Sequence, residues 1–167
     1  MNERVLSPGR SVSGRDFFER ARTRLTLGVP EALGDHAAPA ARGDLDLDPA
    51  LWERAGVAAT RPAAVLVPVL DRPEPTVLLT QRTAALPSHP GQIAFPGGKI
   101  ETADATPFAA ALREAHEEIG LDRSLVEPIG YLDLYLTFSG YRILPLVGRV
   151  APNYALELNA HEVESAF

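Results

Sequence analysis

Cysteine is absent from the 167 residues. Its absence excludes disulfide staples, thiolate metal ligands and a catalytic thiol. Positive charge is scarce as well. With 16 Lys and Arg against 22 Asp and Glu, the formal net charge is −6. The bulk field therefore repels nucleic acid and other polyanions, and an anionic ligand has to be met by local arginines or by a metal ion. Neither a long apolar span nor a secretory leader is visible, so the expectation is a cytoplasmic protein that engages neither membrane nor nucleic acid. No internal repeat is apparent. What remains is ordinary globular composition, 46% hydrophobic and 23% charged, in a chain long enough for one well-filled domain with appended segments.

The most informative stretch is 95–121, FPGGKIETADATPFAAALREAHEEIGL. Asp104 or Thr106 suits a helix N-cap, Pro107 the first turn, and Gly120 the left-handed residue just past the end, predicting a helix from Ala105 or Pro107 to Ile119. At about 100° per residue, Phe108, Ala111, Leu112, Ala115 and Ile119 share an apolar arc that faces a core. Glu114, Glu117 and Glu118 fall on the neighbouring arc. Carboxylates so spaced repel by about 0.2–0.5 kcal/mol per pair, and Glu117 and Glu118 sit in the last turn, where the helix dipole disfavours anions. Arg113 is one positive charge beside three negatives, so a divalent cation is the economical compensation. An isolated Glu-Glu pair would read as a solvated acidic face; the Gly97-Gly98 turn just upstream, where backbone can approach closely, argues for a site.

These residues resemble a known motif. Gly98, Asp104, Arg113, Glu114, Ala115, Glu117, Glu118, Gly120 and Leu121 are similar to the box of the Nudix family, and the REAHEEIGL half matches fully. Upstream, Asp104 stands where glutamate is usual and one extra residue separates it from Arg113, which leaves Asp104 to prop the loop or cap the helix. The resemblance implies an α/β Nudix-type α/β/α sandwich with a mixed sheet. It also implies a metal-dependent hydrolase that cleaves a diphosphate bond in a small-molecule nucleotide derivative. The implied ligands of Mg²⁺ or Mn²⁺, hard ions that prefer oxygen, are Glu117 and Glu118, supported by Glu114 and the backbone carbonyl of Gly97. Arg113 and Glu114 join them as catalytic candidates. Many relatives take the general base from a later loop, where Glu162 and Glu164 are available; Glu162 is preferred because it follows the loop directly.

A narrower resemblance lies upstream. In 78–98, LLTQRTAALPSHPGQIAFPGG, the residues Leu78, Leu79, Thr80, Arg82, Gly91, Phe95, Pro96, Gly97 and Gly98 are similar to the signature of the coenzyme A diphosphatase branch. Thr83 replaces the usual Ser or Ala, and Pro87 the usual Arg. Arg82, His89, Gln92 and Phe95 become the substrate-binding candidates, with Arg82 and His89 the phosphate contacts. ADP-ribose or a dinucleotide is the alternative substrate. The SQPWPFP stretch typical of NADH diphosphatases is absent. A nucleotide-binding Nudix-fold sensor is the non-catalytic alternative, although sensors usually lose box carboxylates that are present here.

The rest of the chain reads as scaffold. Residues 1–60 form an N-terminal segment: a loose start to Gly14, an amphipathic helix over Arg15–Leu27 with Phe17, Phe18, Ala21 and Leu25 on one face, a connector over Gly28–Asp48, and a helical turn at Pro49–Ala55 anchored by Trp52. The resemblance implies a Nudix domain over residues 61–167. Ala63–Leu70 and Thr76–Arg82 read as a hairpin across Asp71–Pro75, with Pro68 marking an edge or a bulge. Gln92–Phe95 reads as a short strand, Leu125–Leu136 and Tyr141–Val150 as two strands joined by Thr137–Gly140, and His161–Phe167 as the start of another. The family usually continues with a strand and a C-terminal helix, so the sequence resembles one cut short.

Overall fold

The computed structural model describes residues 12–35, 42–46 and 60–167. In chain order its elements are α1 (Gly14–Arg24), β1 (Arg42–Gly43), β2 (Arg61–Leu70), β3 (Thr76–Val77), β4 (Thr80–Arg82), β5 (Ile93–Ala94), β6 (Gly97–Lys99), α2 (Pro107–Ile119), β7 (Val126–Tyr131), β8 (Tyr135–Leu136), β9 (Tyr141–Val150) and β10 (Val163–Ala166). The expected turn at Pro49–Ala55, with Trp52, and the start of the chain to residue 11 lie outside the described residues.

The scaffold is the parallel pair β2 and β9, in register from Arg61 opposite Tyr141 to Leu70 opposite Val150. Each of these strands carries two short antiparallel partners in tandem on its outer edge: β6 then β3 on β2, and β8 then β7 on β9. Pro68 is therefore neither at a sheet edge nor in a bulge. It lies in a central strand at the junction where the outer partner changes from β6 to β3, with its carbonyl accepting from Leu78 N at 2.9 Å. The missing N–H falls where no ladder partner needs it. Pro145 occupies the equivalent junction between β8 and β7, its carbonyl accepting from Leu132 N at 2.9 Å.

Alternation along β2 and β9 builds a core on each face of this mixed sheet. Ala64, Leu66, Leu70, Leu144, Leu146 and Val150 pack with Ala111, Leu112, Ala115 and Ile119 of α2. Val67, Val69 and Val147 pack on the opposite face with Phe17, Phe18 and Ala21 of α1. Helices on both faces of a mixed sheet are the α/β/α sandwich expected. β2 reads as a continuous apolar run from Ala63 to Leu70 because both of its faces are buried.

Thr76–Arg82 is not one strand of a hairpin. Its first two residues pair with β2, and Thr80–Arg82 then leaves for a second sheet of order β10-β4-β5. Leu125–Leu136 divides likewise into β7 and β8. The Gly97-Gly98 segment, expected as a turn, is strand β6 paired with Ala63–Val65. The turn comes later, where Asp104 N donates to Glu101 O at 3.0 Å.

Candidate active site

α2 begins and ends as its sequence demands. Thr106 is the N-cap, its side chain accepting from Ala109 N; Pro107 fills the first position, and Gly120 closes the helix at φ 65°. The last two residues of the helix are held by the 157–159 loop: Glu157 N donates to Ile119 O and Asn159 N to Glu118 O, both at 2.9 Å. Satisfying these terminal carbonyls fixes the last turn, which carries Glu117 and Glu118.

β6 runs beside α2 and explains both glycines. A Cβ on Gly97 would lie 2.5 Å from the backbone at Ala64 and Val65, and its φ of +153° is one that side chains rarely adopt. A Cβ on Gly98 would instead lie 2.6 Å from the Glu114 carboxylate. The glycines thus serve different ends: Gly97 keeps β6 tight on β2, and Gly98 lets the Glu114 head lie against bare backbone.

Arg113 is the hub of the acidic cluster. Its Nε and Nη2 donate to the two Asp104 oxygens at 3.1 and 3.0 Å, Nη2 also to Lys99 O at 3.1 Å, and Nη1 to Glu114 Oε1 at 3.0 Å and Glu117 Oε2 at 3.1 Å. The fork therefore points inward at protein partners, and its charge state is held firmly by the Asp104 hydrogen bonds. Asp104, bonded to Arg113 and accepting from Glu101 N at 2.8 Å, sits well below the usual carboxylate range because of that arginine. It props the loop, and Thr106 does the capping.

Glu118 is 5% exposed and accepts a hydrogen bond from Gly97 N at 3.2 Å. Burial pushes its carboxyl up to about 7; Gly97 N–H and the charge of Arg82 pull the other way, while Glu114 and Glu162 add to the rise. Burial likewise raises Glu114, against the pull of Arg113. Glu117 is the outlying member, its side chain 53% exposed.

Glu162 reaches this cluster through the second sheet. Val163 pairs with Arg82 across β10 and β4, and Thr83 N donates to Glu162 O at 3.0 Å. The same pairing places Arg82 close enough to bear on Glu118, with its Nε buried and lacking a hydrogen-bond partner among the described residues. Glu164 is exposed on β10. His89 and Gln92 stand exposed on the 83–92 loop, which is closed by Gly91 N to Arg82 O at 3.2 Å and Gln92 N to His89 O at 3.3 Å. Pro87 is exposed on the same loop. Phe95 is partly buried and packs on the α1 face of the sheet. The structure thus gathers Glu114, Glu117, Glu118, Gly97, Arg113, Arg82 and Glu162, and leaves His89, Gln92 and Phe95 at the periphery.

Asn159 escaped the reading of the sequence. Its side-chain amide donates to Glu162 Oε1 at 3.3 Å, and its Oδ1 accepts from His161 N at 3.2 Å. The available signal was an Asn heading a turn two residues before His161.

Whether the set suits a divalent cation can be judged from its donors. They are oxygens, and buried carboxylates destabilised by desolvation and by one another gain from a hard cation. Among the described residues, acidic and imidazole side chains do not form a preassembled cage of three. The donors fit such an ion in kind and in charge. No helix among the described residues is long and apolar enough to cross a membrane.

The NUDIX domain model matches residues 60–165. A Klebsiella pneumoniae (strain 342) protein named uncharacterized Nudix hydrolase NudL is 47% identical over 107 residues, and its Escherichia coli (strain K12) namesake 46% over the same length. Each match covers 64% of this chain and 56% of the relative. The matched part is thus little more than half the relatives' length. Among solved structures, a Caenorhabditis elegans Ap4A hydrolase binary complex aligns with TM-score 0.52 at 20% identity, covering 63% of this chain and 76% of that one. The Mycobacterium smegmatis Nudix hydrolase RenU aligns with TM-score 0.52 at 23% identity, covering 63% and 67%. These neighbours establish the Nudix fold.

Proposed function

Because the chain belongs to the Nudix family, we propose that it hydrolyses a diphosphate bond in a nucleoside diphosphate derivative, and that its substrate is coenzyme A, cleaved to 4′-phosphopantetheine and 3′,5′-ADP. The observation that supports hydrolysis is the juxtaposition of Glu114 and Glu118 with the Gly97-Gly98 backbone, with Glu162 facing them from the second sheet. The support for coenzyme A is the 78–98 signature, whose Arg82 lies beside the carboxylates. A free small molecule acted on in the cytoplasm suits a chain of net charge −6 better than nucleic acid does.

Glu114, Glu117, Glu118 and the Gly97 carbonyl would hold Mg²⁺ or Mn²⁺. The chemistry such an ion would supply there is neutralisation of charge on the diphosphate oxygens and a lowered pKa for a bound water. Arg113 orients Glu114 and Glu117 and does not itself touch substrate. Glu162 removes the proton of the attacking water, and Arg82 offers charge to the substrate phosphates. Residues 61–167 carry this machinery, with α1 packed on the far face.

The test is kcat/KM for coenzyme A, dephospho-coenzyme A and ADP-ribose at fixed Mg²⁺, with Pro87→Arg alongside. A cation reaching the 3′-phosphate adds a charge-assisted contact of about 1.5–3 kcal/mol. Coenzyme A should be cleaved, with discrimination against the dephospho form that grows when Pro87 becomes Arg. ADP-ribose as the best substrate by a wide margin, with ratios unmoved by Pro87→Arg, refutes the coenzyme A reading and leaves a Nudix hydrolase of another nucleotide derivative.

A further inference from the structure

Glu162 follows a loop, and a base on a loop is effective only if its carboxylate is held in place. Every polar atom of Asn159 is engaged, one in tying that loop to α2 and the others in shaping the turn that carries Glu162. Asn159 N donates to Glu118 O at 2.9 Å, tying the loop to the last turn of α2. Its backbone carbonyl accepts from Glu162 N at 2.9 Å and Val163 N at 2.8 Å. Its Oδ1 accepts from His161 N, shaping the turn, and its Nδ2 donates to Glu162 Oε1 at 3.3 Å. From the other side Thr83 N fixes the Glu162 carbonyl at 3.0 Å. The backbone bonds place the residue; the Nδ2 bond orients the carboxylate.

We propose that Asn159 is a positioning residue for hydrolysis, its side-chain amide aiming the Glu162 carboxylate at the water that Glu162 deprotonates beside Glu114 and Glu118. The proposal rests on the reading of Glu162 as base. A neutral donor suits this role because it holds one carboxylate oxygen without neutralising the charge that takes the proton, whereas a lysine there would.

The test is a double-mutant cycle of Asn159→Asp and Glu162→Gln, assayed with coenzyme A and with ADP-ribose at saturating Mg²⁺. Asn159→Asp keeps the Oδ1 acceptor for His161 N, hence the turn, and replaces the donor to Glu162 by an oxygen. Expected is a fall in kcat of about 10- to 100-fold, the range seen when a supporting partner is removed, with KM and the metal activation constant within about twofold of wild type. In the Glu162→Gln background the same substitution should have almost no further effect, because nothing is left to aim. Asn159→Ala, which loses the turn bond as well, should show the same non-additivity. Equal loss in both backgrounds, or a change in KM alone, shows a structural residue and overturns the proposal. Wild-type turnover of Glu162→Gln by itself refutes the base reading and the proposal with it; full loss there beside a silent Asn159→Asp refutes the proposal only.

Discussion

Replacing Gly98 by alanine should separate catalysis from folding, and replacing Gly97 should not. The new methyl at 98 would lie 2.6 Å from the Glu114 carboxylate carbon and Oε1, and 2.7 Å from Oε2. Ordinary carbon contacts need about 3.5 Å or slightly less to oxygen, so the carboxylate has to withdraw by the better part of an ångström. It sits at the end of a flexible side chain and can do so. The Arg113 Nη1 bond to Glu114 Oε1, now 3.0 Å, would be lost or remade. One charge-assisted hydrogen bond of about 1.5–3 kcal/mol is partly recovered by the shift, so stability should fall by about 1–2 kcal/mol. A 1 Å misplacement in a site can cost about 100-fold in rate, and kcat should fall by about that much. At Gly97 the obstacle is backbone of β2 at 2.5 Å in a strained φ, so Gly97→Ala should cost about 3 kcal/mol or more and open the β6 pairing. Urea unfolding and initial rates on both variants decide it. Full activity in Gly98→Ala, or equal destabilisation by the two, would refute the assignment of Gly98 to the Glu114 head.

Thr106→Ala should destabilise by about 1 kcal/mol through loss of the bond to Ala109 N, with kcat unchanged in folded protein; a drop in kcat would mean the cap also sets the carboxylates. Glu117→Gln should leave the unfolding midpoint almost unmoved, since its side chain is half exposed, while lowering metal-dependent turnover by about 100-fold or more; comparable turnover removes Glu117 from the ligand set. Far from the site, Arg22 and secondarily Arg149 hold Glu127 below its ordinary range. The stability this lends is present above the unfolded carboxylate range and lost as pH falls through the lowered folded value. Glu127→Gln should therefore flatten urea-measured stability between about pH 5 and 3, by under about 1 kcal/mol for so exposed a group; an unchanged slope contradicts it.

α2 was legible because each of its signals is local: Thr106, Pro107 and Gly120 fix its ends, and the apolar arc fixes its inner face. Its carboxylates were legible as a group, but their unequal burial was not, since it depends on β6 lying against Glu118 and leaving Glu117 to solvent. TVLLTQR looked like a single strand because nothing in it marks where the chain passes from one sheet to another. Pro68 misled for a related reason. Proline is excluded from a strand interior only where a partner needs its N–H, and the tandem edge strands of β2 leave one position without that need. The approach of Glu162 and Arg82 to the cluster is set by pairing of β10 with β4, a contact between residues about 80 positions apart, and Asn159 became visible only with it.

The most direct measurement is the rate of coenzyme A hydrolysis, with ADP-ribose as second substrate, against added Mg²⁺ or Mn²⁺ for wild type and Glu118→Gln. The substitution is nearly isosteric and removes a buried carboxylate, so the unfolding midpoint should hold or rise. Wild-type activity should saturate with metal and vanish with EDTA, and Glu118→Gln should lose about 1,000-fold or more in kcat/KM. Hydrolysis that persists in EDTA, or a Glu118→Gln variant within tenfold of wild type, would contradict a metal-dependent site built on α2.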